Sequence, residues 1–202
     1  AVLYPLGLPG ADWERGDDRS VLTGKLEGKK AVLKSAVGKR RYLGNKPSDF
    51  SATNQFPPQG QRDGSAIIEN GKMTGKHGKK TFELKRVIRK SPTISAKPPT
   101  GATVLFNGKG TGEWQGGRVD EKTKLLNTDG RDIKTKRSFQ NYTMHVEFML
   151  PFKPAARGQV RGNSGFYQVD HYEVQILDSF GLEGKNNECG GVYTKADPIV
   201  NM

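Results

Sequence analysis

Apolar and polar residues alternate most regularly in residues 142–152, YTMHVEFMLPF. A period of two is typical of a β-strand, because successive side chains point to opposite faces of a sheet. The pattern therefore predicts a strand with one core face and one polar face. The predicted core face consists of Met144, Val146, Phe148 and Leu150, and the opposite face of His145, Glu147 and Met149.

A second alternating stretch, HYEVQILD, occupies residues 171–178. We expect Tyr172, Val174 and Ile176 on the core side, and His171, Glu173 and Gln175 on the opposite side. Asp178 breaks this parity. A bulge near Leu177 would return its carboxylate to the side of Glu173, and bulges are common beside active sites.

RGNSGFYQVD, residues 161–170, lies between these two stretches and brings two glycines that permit close approach of a ligand. If the three stretches are neighbouring antiparallel strands, their polar residues converge on one face. These residues are His145, Glu147, Arg161, Asn163, Glu173, Gln175 and Asp178. Amide, Arg and carboxylate groups suit sugar hydroxyls, and two separated carboxylates suit acid–base chemistry.

The first half of the chain reads as a small antiparallel meander. The stretches LTGK, GKK and AVL (residues 22–33) are echoed by MTGK, GKK and TFEL (residues 73–84), and each set reads as strand, Gly turn, strand. GSAIIENGK, residues 64–72, supplies a further strand and turn. KSPTISAKPPTG, residues 90–101, then resists strand pairing because of its prolines.

These patterns predict a mainly β protein in three segments. Residues 1–90 form a basic hairpin module, residues 91–100 a Pro-rich linker, and residues 101–202 a β-sandwich. With 26 Gly and 11 Pro, and without helical periodicity, the sequence offers little support for helices. No run of 18 apolar residues predicts a membrane span. Cys189 is the single cysteine, which excludes an intrachain disulfide.

Positive charge is concentrated in the first half of the chain. Residues 1–100 contain 20 Lys and Arg against 9 Asp and Glu, and residues 101–202 contain 13 against 12. This field favours anionic partners and leaves open a basic surface-binding or polyanion-binding protein. Nucleic-acid binding is disfavoured, because no aromatics interleave with the basic residues and no basic recognition helix is present. Lysines beside Gly turns also protect strand edges from aggregation.

Five stretches in order carry a resemblance to a known family: LFNGKGTGEW, HVEFMLPF, RGQVRGNSGFYQ, YEVQILDSFG and NNECGGVYT. Together they resemble the 3-keto-disaccharide hydrolase domain family over residues 101–202. The resemblance implies a concanavalin-like jelly-roll β-sandwich that is exported by bacteria to the periplasm or the exterior. It also implies a carbohydrate substrate, a 3-ketoglycoside produced by a partner oxidoreductase.

The polar face suggests how such a substrate would be cleaved. Glu173 and Asp178 are the predicted acid–base pair, in either order, and Arg161 is placed to stabilise an enolate oxygen. The predicted substrate-binding residues are Glu147, Arg161, Asn163, Gln175 and His145. No cofactor is implied, although His145, Glu147, Glu173 and Asp178 form an alternative set of ligands for a divalent cation.

Two further expectations concern this segment. Members of the family continue for several strands beyond the position of Met202, so we expect an incomplete sandwich with uncovered apolar faces, which predicts low stability or association. The alternative function is a non-catalytic, lectin-like carbohydrate-binding module. Tyr167 and Trp114 are its candidate rings for stacking on a sugar.

Overall fold

The computed structural model describes residues 1–7, 12–14, 16–36, 60–153, 156, 158–179 and 185–200. Within these residues the regular structure consists of β-strands and a short 3-10 helix, Gly158–Val160. The predicted mainly β fold class is confirmed, and the largest sheet, with six antiparallel strands, is consistent with a β-sandwich or jelly roll. No helix in this part of the chain is long and apolar enough to cross a membrane.

The chain divides into two compact units. The first contains Ala1–Ile88 and Met149–Met202, and the second contains Arg89–Phe148. The division into residues 1–90, 91–100 and 101–202 stays a prediction.

The six-stranded sheet of the first unit follows chain order. Its strands are β1 (Val2–Leu3), β2 (Ser20–Glu27), β3 (Lys30–Ser35), β4 (Gly64–Glu69), β5 (Lys72–His77) and β6 (Lys80–Lys85). The predicted meander is confirmed, with two-residue turns between β2 and β3, β4 and β5, and β5 and β6. In the middle turn both Asn70 and Gly71 have positive φ, 48° and 74°, as a tight hairpin with the natural strand twist requires.

One face of this sheet holds the core of the module. Leu3, Leu22, Leu33 and Ala66 are buried there, and Met73 and Phe82 pack against them. Since side chains alternate between faces, the register places Thr23, Lys34, Ser65, Lys76 and Thr81 on the opposite face. The alternation of the strands thus separates an apolar side from a basic, hydroxyl-bearing side.

Ser20 ties the start of β2 to the end of β5. Its buried Oγ lies 2.7 Å from His77 Nε2, accepts the Arg62 backbone N–H at 3.1 Å and donates to the Gly60 carbonyl at 3.1 Å. A hydroxyl has one donor and two acceptor positions, so the network is complete when His77 Nε2 carries the proton. Burial, and then the positive charge of Arg62, lowers the pKa of His77, while Asp18 opposes them.

The second unit contains two short antiparallel ladders. β7 (Trp114–Gln115) pairs with β10 (Lys134–Thr135), and β8 (Arg118–Val119) pairs with β9 (Leu126–Asn127). Trp114 Nε1 donates to the Leu105 carbonyl at 2.9 Å. The indole therefore closes the turn that precedes β7.

The strand predicted over residues 142–152 is wrong. The structure describes this whole stretch and assigns it no strand. Val146 and Phe148, which were expected in the core, are 41% and 47% exposed, and Phe152 is 91% exposed. Alternation records a preference for extended backbone, but a strand also needs a neighbour to accept its hydrogen bonds and to cover its apolar face.

The remaining hairpin of the first unit is formed by β11 (Ser164–Gln168) and β12 (Tyr172–Ile176). Their antiparallel register pairs Tyr167 with Glu173 and Gly165 with Gln175. On its other edge β12 meets the segment around Val192, through a bridge between Val174 and Val192. β12 is thus hydrogen-bonded on both sides, which fixes the direction of its side chains.

Candidate active site

Glu173 is held on the hairpin by the strand beside it. The Tyr167 hydroxyl donates to Glu173 Oε2 at 2.9 Å, because the register places these two residues opposite each other on one face. A Cβ built on Gly165 would overlap Oε1 and Cγ of Glu173. The carboxylate therefore lies directly over Gly165, in space that only glycine leaves open.

Gln175 lies on the same face and contacts the same carboxylate. Its amide has two hydrogen-bonding orientations. In one, Nε2 donates to Gln159 Oε1 at 2.8 Å. With O and N exchanged, the amide nitrogen donates to Glu173 Oε1 at 3.1 Å and to the Ser164 carbonyl at 3.0 Å. The exchanged orientation is favoured with an ionised Glu173, since the amide oxygen would otherwise face a carboxylate oxygen.

The expected exposure of Gln175 and the expected burial of Tyr172 on β12 are wrong. Gln175 is only 1% exposed, whereas Tyr172, expected in the core, is 48% exposed. The reason lies outside the strand, because Gln159 and the backbone carbonyl of Asn187 cover the face of Gln175. Gln175 is therefore buried beside Glu173, where an open polar surface was expected.

Arg161 and Asp178 form a second group in this unit. Arg161 Nε donates to Asp178 Oδ2 at 2.8 Å, and the Asp178 backbone N–H donates to the Arg161 carbonyl at 3.1 Å. The regular pairing of β12 ends at Ile176. Asp178 thus lies beyond the ladder, and its direction is set by Arg161 rather than by a bulge within the paired strand.

The other predicted site residues fall into two places. Asn163 is exposed in the first unit, and its Nδ2 donates to Gln159 Oε1 at 3.0 Å. His145 and Glu147 lie in the second unit, where Nε2 and Oε1 are 3.3 Å apart. The structure brings Glu173 and Gln175 together, and Arg161 and Asp178 together. The catalytic and binding roles of all seven residues stay predictions.

Several residues near these groups were not singled out as site residues. Gln159 contacts both Gln175 and Asn163, and Tyr167 was expected only as a stacking ring. Glu188 is fully buried, and Ser179 Oγ accepts the Cys189 N–H at 2.9 Å. Only Tyr167 could have been found from the sequence, because a hairpin with a three-residue turn at residues 169–171 places it opposite Glu173.

The described residues contain no cluster of three or more His, Cys, Asp and Glu side chains that could hold a metal ion. Hydrogen bonds to protein groups account for the fixed positions of Glu173 and Asp178.

Residues 101–202 match a family model described as the 3-keto-alpha-glucoside-1,2-lyase-like domain. The chain belongs to this family. Neither the curated proteins nor the solved structures give a match. The resemblance found in the sequence is thereby confirmed over the same residues. β7 to β12 lie within the lyase-like domain, as do Glu173 and Asp178, whereas the basic six-stranded sheet lies outside it.

Proposed function

We propose that the chain cleaves 3-keto-glycosides, including keto-disaccharides, by acid–base chemistry of Glu173 and Asp178. The observation that carries the proposal is the fixed carboxylate of Glu173, which lies over Gly165 with the Tyr167 hydroxyl as hydrogen-bond donor. Membership of the lyase-like family supports the substrate class.

The chemistry begins at the carbon next to the ketone. A carbonyl at C3 acidifies the proton on C2, so a carboxylate base can remove it and leave an enolate. The electron pair of the enolate then expels the substituent at C1, whose oxygen takes a proton from the acid. Water adds to the resulting double bond and completes a net hydrolysis. This route needs a base, a group that stabilises the enolate oxygen, and an acid.

The two groups of the site fit these needs. Glu173 and Asp178 exchange protons with C2 and the leaving oxygen, in either order, and the Arg161 guanidinium stabilises the negative enolate oxygen. An acid–base residue passes through two protonation states. The Gln175 amide suits both, because its nitrogen donates to an ionised Glu173, and its oxygen accepts from a protonated one after the amide turns.

We assign the substrate-binding roles according to how exposed each side chain is. Asn163 is exposed and its amide suits a sugar hydroxyl. The burial of Gln175 favours a positioning role, since its amide contacts the Glu173 carboxylate from a buried position. His145 and Glu147 belong to the second unit, and their substrate-binding role stays a prediction from the sequence.

A lectin-like module is the second candidate. Tyr167 is 51% exposed and shares a face with Glu173, and its ring is the proposed stacking surface for a sugar. Cleavage of the bound sugar distinguishes the proposed enzyme from this binding module.

Mass-spectrometric product analysis tests both. The chain is incubated with 3-keto-trehalose or a 3-ketoglucoside, and in parallel with the unoxidised sugar. We expect cleavage of the keto sugar alone, lost in Glu173→Gln and in Asp178→Asn and retained in the exposed controls Glu69→Gln and Asp132→Asn. Binding without cleavage would establish the lectin-like module. Cleavage that persists in both site variants would contradict the assignment of the carboxylates.

The need for a ketone at C3 also determines which reaction must come before this one. An oxidation of the C3 hydroxyl must precede it, and we assign that step to a partner oxidoreductase. A periplasmic or extracellular location is proposed with it, and fractionation of producing cells tests that location.

A further inference from the structure

A row of alternating hydroxyl and ammonium groups crosses the outer face of the six-stranded sheet, which is the face opposite its core. The register pairs Thr23 with Lys34, Lys34 with Ser65, Ser65 with Lys76, and Lys76 with Thr81. All five side chains are exposed. Neighbouring strands are about 4.8 Å apart, so the backbone positions of the two lysines are roughly 10 Å apart, with a hydroxyl-bearing residue between them and one at each end.

The two lysines of the row differ from other lysines on the same face. Lys72 pairs with Glu83 at 3.2 Å, and Lys25 pairs with Glu27 at 3.6 Å. Among the described residues, neither Lys34 nor Lys76 has a carboxylate within ion-pair distance. Their charges are therefore available to an external anion.

The three middle residues of the row, Lys34, Ser65 and Lys76, line a shallow cavity of about 400 Å³ together with Ser35, Gly64 and Gly78. Asp63 also lines it and is the one acidic residue of the lining. Two ammonium groups against one carboxylate leave the cavity positive. The positive charge favours an anion, and the alternation of Lys with Ser and Thr along the row favours a ligand whose anionic groups alternate with neutral, hydroxyl-bearing parts.

The composition of this face decides between two classes of polyanion. Single-stranded nucleic acids are bound by aromatic rings on which the bases stack. The outer face of β2 to β6, all of which the structure describes, has no aromatic residue. Phe82 is the one Phe, Tyr or Trp of these strands, and it packs on the core side. The ammonium groups suit the anionic groups of an acidic polysaccharide, and the neighbouring protein hydroxyls suit its sugar hydroxyls.

We propose that this row binds a linear anionic polysaccharide, with sulfate or carboxylate groups on Lys34 and Lys76 and sugar hydroxyls on Thr23, Ser65 and Thr81. The site lies on β2 to β6, outside the lyase-like domain, and does not depend on its activity. The sheet holds the chain on an acidic glycan.

Calorimetric titration of the full chain with a heparin octasaccharide tests the proposal. Lys34→Gln/Lys76→Gln is compared with Lys25→Gln/Lys72→Gln, which removes the same charge from the same face. We expect Lys34→Gln/Lys76→Gln to weaken binding about tenfold. The slope of log K against log salt should fall by about 2, because each lost contact between a lysine and an anionic group releases about one counterion fewer from the polysaccharide. The control variant Lys25→Gln/Lys72→Gln should change the affinity less than about threefold, because these two lysines already pair with carboxylates of the sheet.

Equal losses in the two double variants would show a general charge effect and overturn the proposal. Tighter binding of a single-stranded oligonucleotide than of the octasaccharide would overturn the assigned ligand class. Equal binding of free sulfate and of the octasaccharide, per charge, would contradict a site that follows a chain. Circular dichroism of each variant checks the fold, and Ser65→Ala tests the central hydroxyl without a change in charge.

Discussion

The carboxylate of Glu173 occupies the space in which a side chain at Gly165 would stand. The two residues lie on adjacent strands, and the absence of a Cβ on one sets the direction of the other. The hydroxyl of Tyr167, which lies directly opposite Glu173 in the hairpin, then fixes the carboxylate. The position of the proposed acid–base residue thus depends on a glycine as much as on its own partners.

Gly165→Ala is expected to abolish most activity without unfolding the chain. The new methyl group displaces the Glu173 carboxylate, and a displacement of about 1 Å costs on the order of a hundredfold in rate. The measurement is kcat for a 3-ketoglucoside. Gly110→Ala is the matched control, because a Cβ at Gly110 meets no atom within 4 Å. Full activity of Gly165→Ala would contradict a role for the position of Glu173.

Tyr167→Phe removes the donor to Glu173 and keeps the ring. A hydrogen bond to a charged group is worth about 2 kcal/mol, so we expect kcat to fall at least about tenfold with little change in KM. Tyr172→Phe, on the opposite face of the hairpin, should retain normal kinetics. A rise in KM alone in Tyr167→Phe would indicate that the tyrosine serves sugar binding only.

Arg161→Lys keeps the positive charge but loses the guanidinium Nε that donates to Asp178. Because the pair is partly exposed, we expect a change in unfolding free energy below about 1 kcal/mol, together with a loss of activity of about tenfold or more. Arg118→Lys is the control, since Arg118 Nε also donates to a carboxylate, that of Asp129, at 3.0 Å. Equal effects of the two variants on activity would remove Arg161 from the mechanism.

The meander is expected to lose stability in mild acid through His77. Burial lowers its pKa in the folded chain, so the unfolded chain binds the proton more readily, and stability rises with pH between the two pKa values. The contribution is complete above the unfolded value of about 6.5 and is lost as pH falls through the folded value. The Tm of the wild type should therefore drop more between pH 7.5 and 5.5 than that of His77→Gln.

His171→Gln serves as the control for that measurement, because His171 lies exposed beside the β11–β12 turn. A pH dependence of Tm that is unchanged in His77→Gln would show that other groups carry it.

The meander was predictable because its signals are local. Gly28, Gly71 and Gly78 each mark a two-residue turn, and the turn fixes the register of the strands around it. The pairing of Tyr167 with Glu173 is of the same kind, as it follows from one hairpin. These features need only the sequence of neighbouring strands.

The errors concern packing between distant segments. Residues 142–152 alternate well, yet a strand there would need a partner that no local pattern supplies. The alternation of residues 171–178 predicted the strand but not which face is buried. Gln159 and Asn187 cover Gln175 from separate parts of the chain, and a single sequence contains no signal for that contact.

β12 is bonded on both edges, to β11 and to the segment around Val192. A single inserted or deleted residue between Tyr172 and Glu173 would send Glu173 and Gln175 to the opposite face and break two ladders at once. A change of length in the β11–β12 turn would likewise shift the register that pairs Tyr167 with Glu173. In any set of relatives, the spacing from Gly165 to Glu173 should be the least variable length in the chain.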